Sequence, residues 1–301
     1  MWRTTAILER TDDLFDLLSD NFVIVERYVI GGLLDFKIPM IWTKSYYGES
    51  RVPLFGDTHL LISRRKFCTL CFSENYTETY ICSDCLQTDT GALYRCIWNG
   101  PLLVYGRPCN LNENPLCGSF ENASYCAREQ LLYIGMFRDI VKVGATRVNR
   151  GNSSNGYIDR FLEQGLDAVV IFYGSLDLPR SRELEYMIST KFGFAEKINF
   201  FEKVKALGKS VSEEKQVSFL SRVASRVLEE FRDFGLDGFE VICLKDNYIF
   251  PGRIDYAVGE YNEIVGRIVG FQGGVLFVRR GDYIVAYNGG YLIGRRIAAI
   301  I

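Results

Sequence analysis

Leu131-Leu132-Tyr133-Ile134-Gly135-Met136-Phe137 is followed, after Arg138-Asp139, by Ile140-Val141-Lys142-Val143-Gly144. Two apolar runs joined by a two-residue polar turn read as a β-hairpin. A polar loop from Arg147 to Gly156 comes next, with four Asn/Ser residues between its glycines. Tyr157 to Gln164 then reads as a helix, because Ile158, Phe161 and Leu162 share one face and Gly165 stands where a left-handed residue ends such a turn. Ala168-Val169-Val170-Ile171-Phe172-Tyr173 is apolar throughout, as a central strand covered on both faces must be. A second helix is expected from about Pro179 to Phe192, with Gly193 as its C-cap.

Upstream of this α/β unit lies a cluster of cysteines. Of nine in the 301-residue chain, eight fall between positions 68 and 126. Cys68-x2-Cys71 and Cys82-x2-Cys85 are two knuckles ten residues apart, and each lets two thiolates point at one ion from a tight turn. Together they complete a tetrahedral four-thiolate shell, the signature of structural zinc. Cys96, Cys109, Cys117 and Cys126 are spaced by twelve, seven and eight residues without a knuckle. A second zinc site, two disulfides and four buried thiols are all compatible with that spacing. Either zinc shell would be closed, with no vacant position for a substrate. Between residues 60 and 130 there are six Lys/Arg against seven Asp/Glu, so the cysteine-rich segment is not itself a phosphate-binding surface. The ninth cysteine, Cys243, alternates with Phe239 and Val241 and is expected as a buried strand thiol.

Composition narrows the chemistry. The formal net charge is -2, 48% of residues are hydrophobic and 14% aromatic, which suits a folded core. The single histidine, His59, excludes paired-histidine zinc hydrolases and reads as a surface or strand-end residue. The N-terminus, Met1-Trp2-Arg3-Thr4-Thr5, lacks the apolar core of a signal peptide, and no apolar run is long enough for a membrane span. A cytoplasmic protein with no membrane association is expected, where clustered cysteines hold metal more often than disulfides. The Asn-x-Ser/Thr triplets at Asn75, Asn122 and Asn152 are then coincidental.

Downstream, residues 210 to 234 carry a strong helical pattern. Ser210-x-x-Glu213 reads as a capping box, Val217, Leu220, Ala224, Val227, Leu228 and Phe231 as the buried stripe, and Gly235 as the stop. Gln272-Gly273-Gly274, Gly281-Asp282 and Asn288-Gly289-Gly290 are hairpin signals, so a β-meander or partial barrel follows. From 264 to 301 there are five arginines against one acid. Arg279/Arg280 and Arg295/Arg296, with Tyr283, Tyr287 and Tyr291, form either a nucleic-acid backbone-and-stacking surface or solvated strand faces. Residues 1 to 66 contain a short helix around Asp12 to Leu18 and several strands, including Phe22 to Ile30, that can pair with the C-terminal ones.

The order hairpin, helix, strand, helix resembles the GIY-YIG nuclease fold, and most of all its phage-type branch, whose second motif reads Lys-Ile-Gly or Lys-Val-Gly. Here Leu131-Leu132-Tyr133 stands at the first motif and Lys142-Val143-Gly144 at the second. A literal Tyr133-Ile134-Gly135 has no hairpin partner before it and is set aside. The whole arrangement is still more similar to domain-of-unknown-function family 2797. Members of that family place cysteine ribbons before a Val-Tyr strand, then Lys-Val-Gly-x-Thr-Arg, then Arg-Trp-x-x-Gln-Gly. This chain has Lys142-Val143-Gly144-Ala145-Thr146-Arg147, then Arg160-Phe161-Leu162-Glu163-Gln164-Gly165, and its Gly-Phe-Gln-Gly-Gly segment at 270 to 274 resembles the family's Gly-x-x-Gly-Gln. The likeness covers most of residues 50 to 301.

The resemblance implies an α+β protein: a β-rich segment at 1–66, a cysteine-rich zinc-binding module at 67–128, a GIY-YIG-like mixed α/β core at 129–204, and a helix plus β-meander or small barrel at 205–301. It carries Arg160 onto the family's phosphate-binding arginine and Glu185 onto its metal-binding glutamate, which would take magnesium or manganese. Tyr133 would be a general base or orienting hydroxyl, Lys142 replaces the second family tyrosine, and Arg147 is a further cation. On the second helix, Leu184, Met187, Ile188 and Phe192 form the apolar stripe, and Glu185 lies closer to it than Glu183. The plainer alternatives are a boundary glutamate paired with an arginine, a solvated helix-face arginine and an ordinary strand tyrosine. The function implied is a zinc-containing nucleic-acid-binding protein acting on DNA or RNA, with divalent-metal nuclease chemistry as one form of it. A non-catalytic RNA- or ribosome-associated module, or a protein-protein adaptor, is the alternative.

Overall fold

The computed structural model describes residues 23–33, 36–45, 48–53, 56–75, 77, 79–107, 109, 111, 116–117, 119–148 and 157–299. The helix expected around Asp12 to Leu18 and most of the loop after Arg147 lie outside the described residues. In chain order the elements are β1 (Val23–Leu33), β2 (Phe36–Ser45), β3 (Gly48–Pro53), β4 (Gly56–Lys66), α1 (Ser83–Leu86), α2 (Asp89–Tyr105) and α3 (Phe120–Cys126). Then come β5 (Gln130–Phe137), β6 (Ile140–Arg147), α4 (Ile158–Gln164), β7 (Ala168–Leu176), α5 (Leu178–Phe192), α6 (Phe200–Leu207) and α7 (Glu213–Glu230). The chain continues through β8 (Leu236–Cys243), β9 (Tyr256–Val258), β10 (Glu263–Gln272), β11 (Val275–Arg280), β12 (Tyr283–Asn288) and β13 (Arg295–Ala299). The protein is thus α+β, and among the described residues no helix is long and apolar enough to cross a membrane. It divides into two compact units, Met1–Cys85 with Asn247–Ile301, and Leu86–Asp246. The division falls inside the cysteine-rich segment.

The contiguous unit holds an antiparallel sheet in the order β6-β5-β7-β8. Period-two alternation gives each strand two faces. Leu132, Ile134, Val143, Val170 and Phe172 point to a core closed by Leu184 and Ile188 of α5 and by Leu220, Ala224 and Val227 of α7. Each of these side chains except Ala224 contributes about 1.5–3 kcal/mol when fully buried. The opposite face carries Tyr133 and Phe137, with Phe161 of α4 set edge-on to Tyr133 at 4.8 Å. Gly135 sits opposite Lys142 on that face, and a Cβ there would lie 2.4 Å from the Leu166 side chain. The free edge of β6 is covered by the strand-like residues after α5, with Val143 N donating to Ala195 O at 3.0 Å and Ala195 N to Val141 O at 3.1 Å.

The hairpin turn is fixed by a buried network. Arg138 has φ +53, rare for a residue with a Cβ. Its N–H donates to Asp167 Oδ2 at 2.5 Å, its Nη1 to Asp167 Oδ1 at 3.3 Å, and its carbonyl accepts from Gln216 Nε2 at 2.8 Å.

The discontinuous unit is a nine-stranded sheet in the order β3-β2-β1-β13-β4-β10-β11-β12-β9. The Gly273-Gly274 turn between β10 and β11 has both residues at positive φ, the conformation that a two-residue hairpin favours. β13 sits between β1 and β4, and β4 in turn pairs with β10. His59 lies on β4 beside Glu263, at 3.5 Å.

Three local expectations are corrected. Cys243 is exposed: the alternation of β8 holds, but its last residue runs past the packed part of the core and lies near Glu213 at the start of α7. That helix is capped by Ser212, whose side chain accepts from Lys215 N, and not by the Ser210 box. Placing the cap two residues later puts Glu213 and Glu214 in the first turn, where the helix dipole favours them. Met187 is exposed on α5, because the buried stripe runs through Ser181, Leu184, Glu185 and Ile188 instead.

Candidate functional site

The Cys68, Cys71, Cys82 and Cys85 thiols lie within 4.8 Å of one another and form a group that can hold a metal ion such as zinc. The Cys71 and Cys82 sulfurs are 3.6 Å apart. A tetrahedral zinc with bonds of about 2.3 Å sets its sulfurs about 3.8 Å apart, so the donor set fits. The first knuckle is built by Cys68 N donating to Ser73 O at 2.8 Å, Phe72 N to Cys68 O at 2.9 Å, and Phe72 turning to φ +62. Thr69 joins the second knuckle by donating from N and Oγ1 to Tyr80 O at 2.9 and 3.1 Å. A hydrogen bond with Ser73 lowers Cys71 to about 6, which favours the thiolate that a metal requires. Asn75 is buried and donates to Thr79 O at 2.8 Å, so its amide braces the loop between the knuckles.

The second cysteine set is looser. Cys96 on α2 and Cys126 at the end of α3 are buried, whereas Cys109 and Cys117 are half-buried in the connecting chain. Burial pushes the Cys126 thiol up to about 12, with the fields of Cys96, Cys117 and Cys109 adding to it, so the four are neighbours. Among the described residues, however, only the first quartet brings its ligand atoms close enough to share one ion. Asn122 Nδ2 ties α3 to α2 by donating to Asp89 O at 2.8 Å.

On the sheet face away from the main core, Tyr133, Lys142 and Arg160 come together, and the Glu185 carboxylate of α5 acts electrostatically on Tyr133 and Lys142. Tyr133 is buried and faces Gly144 across the hairpin. Gln164 hydrogen-bonds the Tyr133 hydroxyl, and with its amide oxygen turned to Arg160 it accepts from Nε at 2.8 Å and Nη2 at 3.2 Å. The tyrosine and the arginine are thereby linked through one side chain, which spacing did not single out. Arg160 also pairs with Glu163 at 3.2 Å. Burial raises Tyr133 above the usual phenol range. Burial also lowers Lys142 to about 8, with Glu185 opposing the shift and Arg160 and Arg182 reinforcing it. Lys142 Nζ donates to the Glu196 carbonyl.

Gly144 makes this packing feasible, since a Cβ there would lie 2.4 Å from the Tyr133 oxygen and 2.5 Å from Cζ. Gly144→Ala is expected to displace the ring and cost about 1–3 kcal/mol in urea unfolding. Gly238→Ala, where a Cβ meets nothing within 4 Å, is the control. Equal stability of the two variants would contradict the packing role.

Glu185 is buried on α5, as the helical stripe suggests, but its carboxylate accepts from Arg182 Nη1 at 2.5 Å. Arg182, another residue that spacing did not reveal, also donates to Ile97 O on α2. Burial raises Glu185 and Arg182 opposes that shift. Magnesium and manganese seek several oxygen ligands. A single carboxylate already bound to a guanidinium, with Lys142 beside it, does not fit such an ion.

Arg147 is not part of the cluster. Three residues beyond Gly144 it points to the other face of the sheet, with its guanidinium 4.6 Å from the Tyr125 ring centre. Of the C-terminal basic pairs, Arg279 and Arg280 are exposed on β11, whereas the second pair and its tyrosine neighbour are partly withdrawn from the surface. Arg295 is buried, donating to Ser63 O and Tyr291 O at 3.0 Å each, and Tyr287 is buried against Tyr261. These side chains hold β13 and the β10–β12 meander in place, while Tyr283 remains exposed beside Tyr256, at 5.6 Å.

No family model, no curated protein and no solved structure matches the chain.

Proposed function

We propose that this chain is a zinc-braced nucleic-acid-binding protein that holds a backbone phosphate on the sheet face of Tyr133. Arg160 beside Tyr133, with Lys142 on the same face of the hairpin and in the field of Arg160, supports this reading. Arg160 offers a planar fork of donors and Lys142 a point charge, the two kinds of cation that phosphate oxygens accept. With a net charge of -2 the chain attracts nucleic acid through a local patch, not through its overall field. The likeness to the GIY-YIG nucleases and to domain-of-unknown-function family 2797 at Lys142–Arg147 and Arg160–Gly165 agrees with a phosphate-facing role. Zinc at Cys68, Cys71, Cys82 and Cys85 is structural, because four thiolates close its shell. Cys96, Cys109, Cys117 and Cys126 would hold a second zinc if their thiols drew together, and a reducing cytoplasm suits both sites. Binding is favoured over cleavage because Arg182 occupies the Glu185 carboxylate.

The test measures binding of short single- and double-stranded DNA and RNA at two salt concentrations, with magnesium or manganese present in a parallel cleavage arm. Arg160→Ala is expected to weaken binding about tenfold and to reduce the salt slope by about one. Absence of binding to all four nucleic acids would refute the reading. Cleavage that disappears in Glu185→Ala would replace it with the nuclease reading.

A further inference from the structure

Away from the Tyr133 face, the open end of the β5–β6 hairpin holds two arginines on one ring. Tyr125 stands in the last turn of α3, and the guanidinium carbons of Arg128 and Arg147 lie 5.1 and 4.6 Å from its ring centre, both within cation–π range. The backbone builds this placement. Arg128 N donates to Tyr125 O at 3.3 Å as the chain leaves the helix, and Val148 N donates to Glu129 O at 3.2 Å. Gln130, 3% exposed, pairs with Arg147 across the hairpin and donates from Nε2 to the Arg128 carbonyl at 2.9 Å. One helix end and two strand ends thereby bring both guanidinium groups to the same half-buried phenol ring.

The ring leaves the donors of both arginines unspent. Arg138, Arg160 and Arg182 of the same unit are held by Asp167, Glu163 and Glu185. Among the described residues, the Arg128 and Arg147 side chains have no hydrogen bond and no ion pair, and the exposed Glu129 beside Arg128 is bound to neither. Between Arg147 and Asp159 the sequence contains no acidic residue. A cation held over a ring face is oriented without using its N–H groups. Two guanidinium carbons this near one ring centre are at most about 10 Å apart, roughly one Debye length at 0.1 M salt, so their fields add. One arginine fork saturates a carboxylate, whereas a phosphate has oxygens for two.

We propose that Arg128 and Arg147, oriented by Tyr125, form a phosphate-binding site separate from the Tyr133 face. The site goes beyond the reading above and does not depend on it. Its ligand is a phosphate group, and the arms of the test distinguish a phosphodiester backbone from free phosphate.

The experiment measures binding of inorganic phosphate, a single-stranded oligonucleotide and an uncharged-backbone oligonucleotide of the same sequence. It compares wild type, the double variant Arg128→Gln with Arg147→Gln, and Tyr125→Leu, with circular dichroism to verify folding. The double variant is expected to bind both charged ligands about tenfold more weakly and to lower the oligonucleotide salt slope by roughly 0.7 for each arginine. Tyr125→Leu keeps both charges, so it should keep the slope while losing about two- to fivefold in affinity. The uncharged oligonucleotide should respond to neither change. If wild type takes inorganic phosphate through these arginines but not the oligonucleotide, the site stands and the nucleic-acid reading falls. If the double variant binds both charged ligands as wild type does, the site is overturned while the nucleic-acid reading, tested at Arg160, survives. Wild type that binds neither charged ligand overturns both.

Discussion

Removing metal from Cys68, Cys71, Cys82 and Cys85 is expected to unfold residues 67–85 and to lower the melting temperature by about 10 °C or more. Structural zinc in small modules contributes an apparent ~10–16 kcal/mol, comparable with the whole net stability of a typical domain. Among its described residues, apart from the two knuckles, this segment has short regular structure to fall back on: a four-residue helix, the Phe67–Glu74 bridge and the Asn75, Thr77 and Thr79 hydrogen bonds. The loss spreads, because Phe67 N donates to Gly294 O at 2.6 Å and the Arg296 guanidinium lies 4.1 Å from the Phe67 ring centre. Chelation under reducing conditions and Cys82→Ser should both produce new protease cleavage between 67 and 85, whereas Cys243→Ser, at an exposed thiol, should not. An unchanged melting curve and digest after chelation would rule out a metal-braced segment.

Asp167→Ala is expected to destabilise the Leu86–Asp246 unit by about 3–5 kcal/mol, the usual cost of breaking a buried ion pair from one side. Asp167 is 1% exposed and Arg138 8%, so the guanidinium would lose its counter-charge out of reach of water. The same carboxylate accepts the backbone N–H that holds Arg138 at positive φ, so the hairpin turn loses its clamp as well. Urea unfolding reads the loss directly. Arg138→Met combined with Asp167→Leu should recover part of it, because replacing both partners leaves no lone buried charge. A cost for Asp167→Ala below about 1 kcal/mol would show that the pair is not holding the turn.

Local chemistry was legible in the sequence where it was decided by neighbours. The β5–β6 hairpin follows from apolar runs flanking Arg138-Asp139, and the left-handed caps at Gly165 and Gly193 from residues with no Cβ to clash. The four-thiolate group follows from two knuckles, each a turn of four residues. Long-range partners were not legible. Arg182 meets Glu185 one turn away, a spacing that any surface ion pair shares, and its bond to Ile97 O on α2 ties it to a second helix. Lys203 of α6, whose Nζ stands 5.7 Å from the Phe137 ring centre, shares no motif with the hairpin that it meets. Arg295 reads as half of a basic pair, yet its partners include the Ser63 carbonyl, 232 positions away. Strand alternation gave the correct face for Cys243 but could not reveal where the packed core stops.

The position of β13 between β1 and β4 has a consequence for the order of events during synthesis. Four strands of the nine-stranded sheet are made early, but the strand that separates β1 from β4 follows only after the entire Leu86–Asp246 unit. That unit is one continuous stretch with its own core, and it can close while the earlier strands still wait with open edges. Uncovered strand edges are where chains pair wrongly with one another. The slow, exposed stage of folding thus falls on β1–β4, and a zinc site closed early at residues 68–85 would hold the end of β4 in shape until its neighbour arrives.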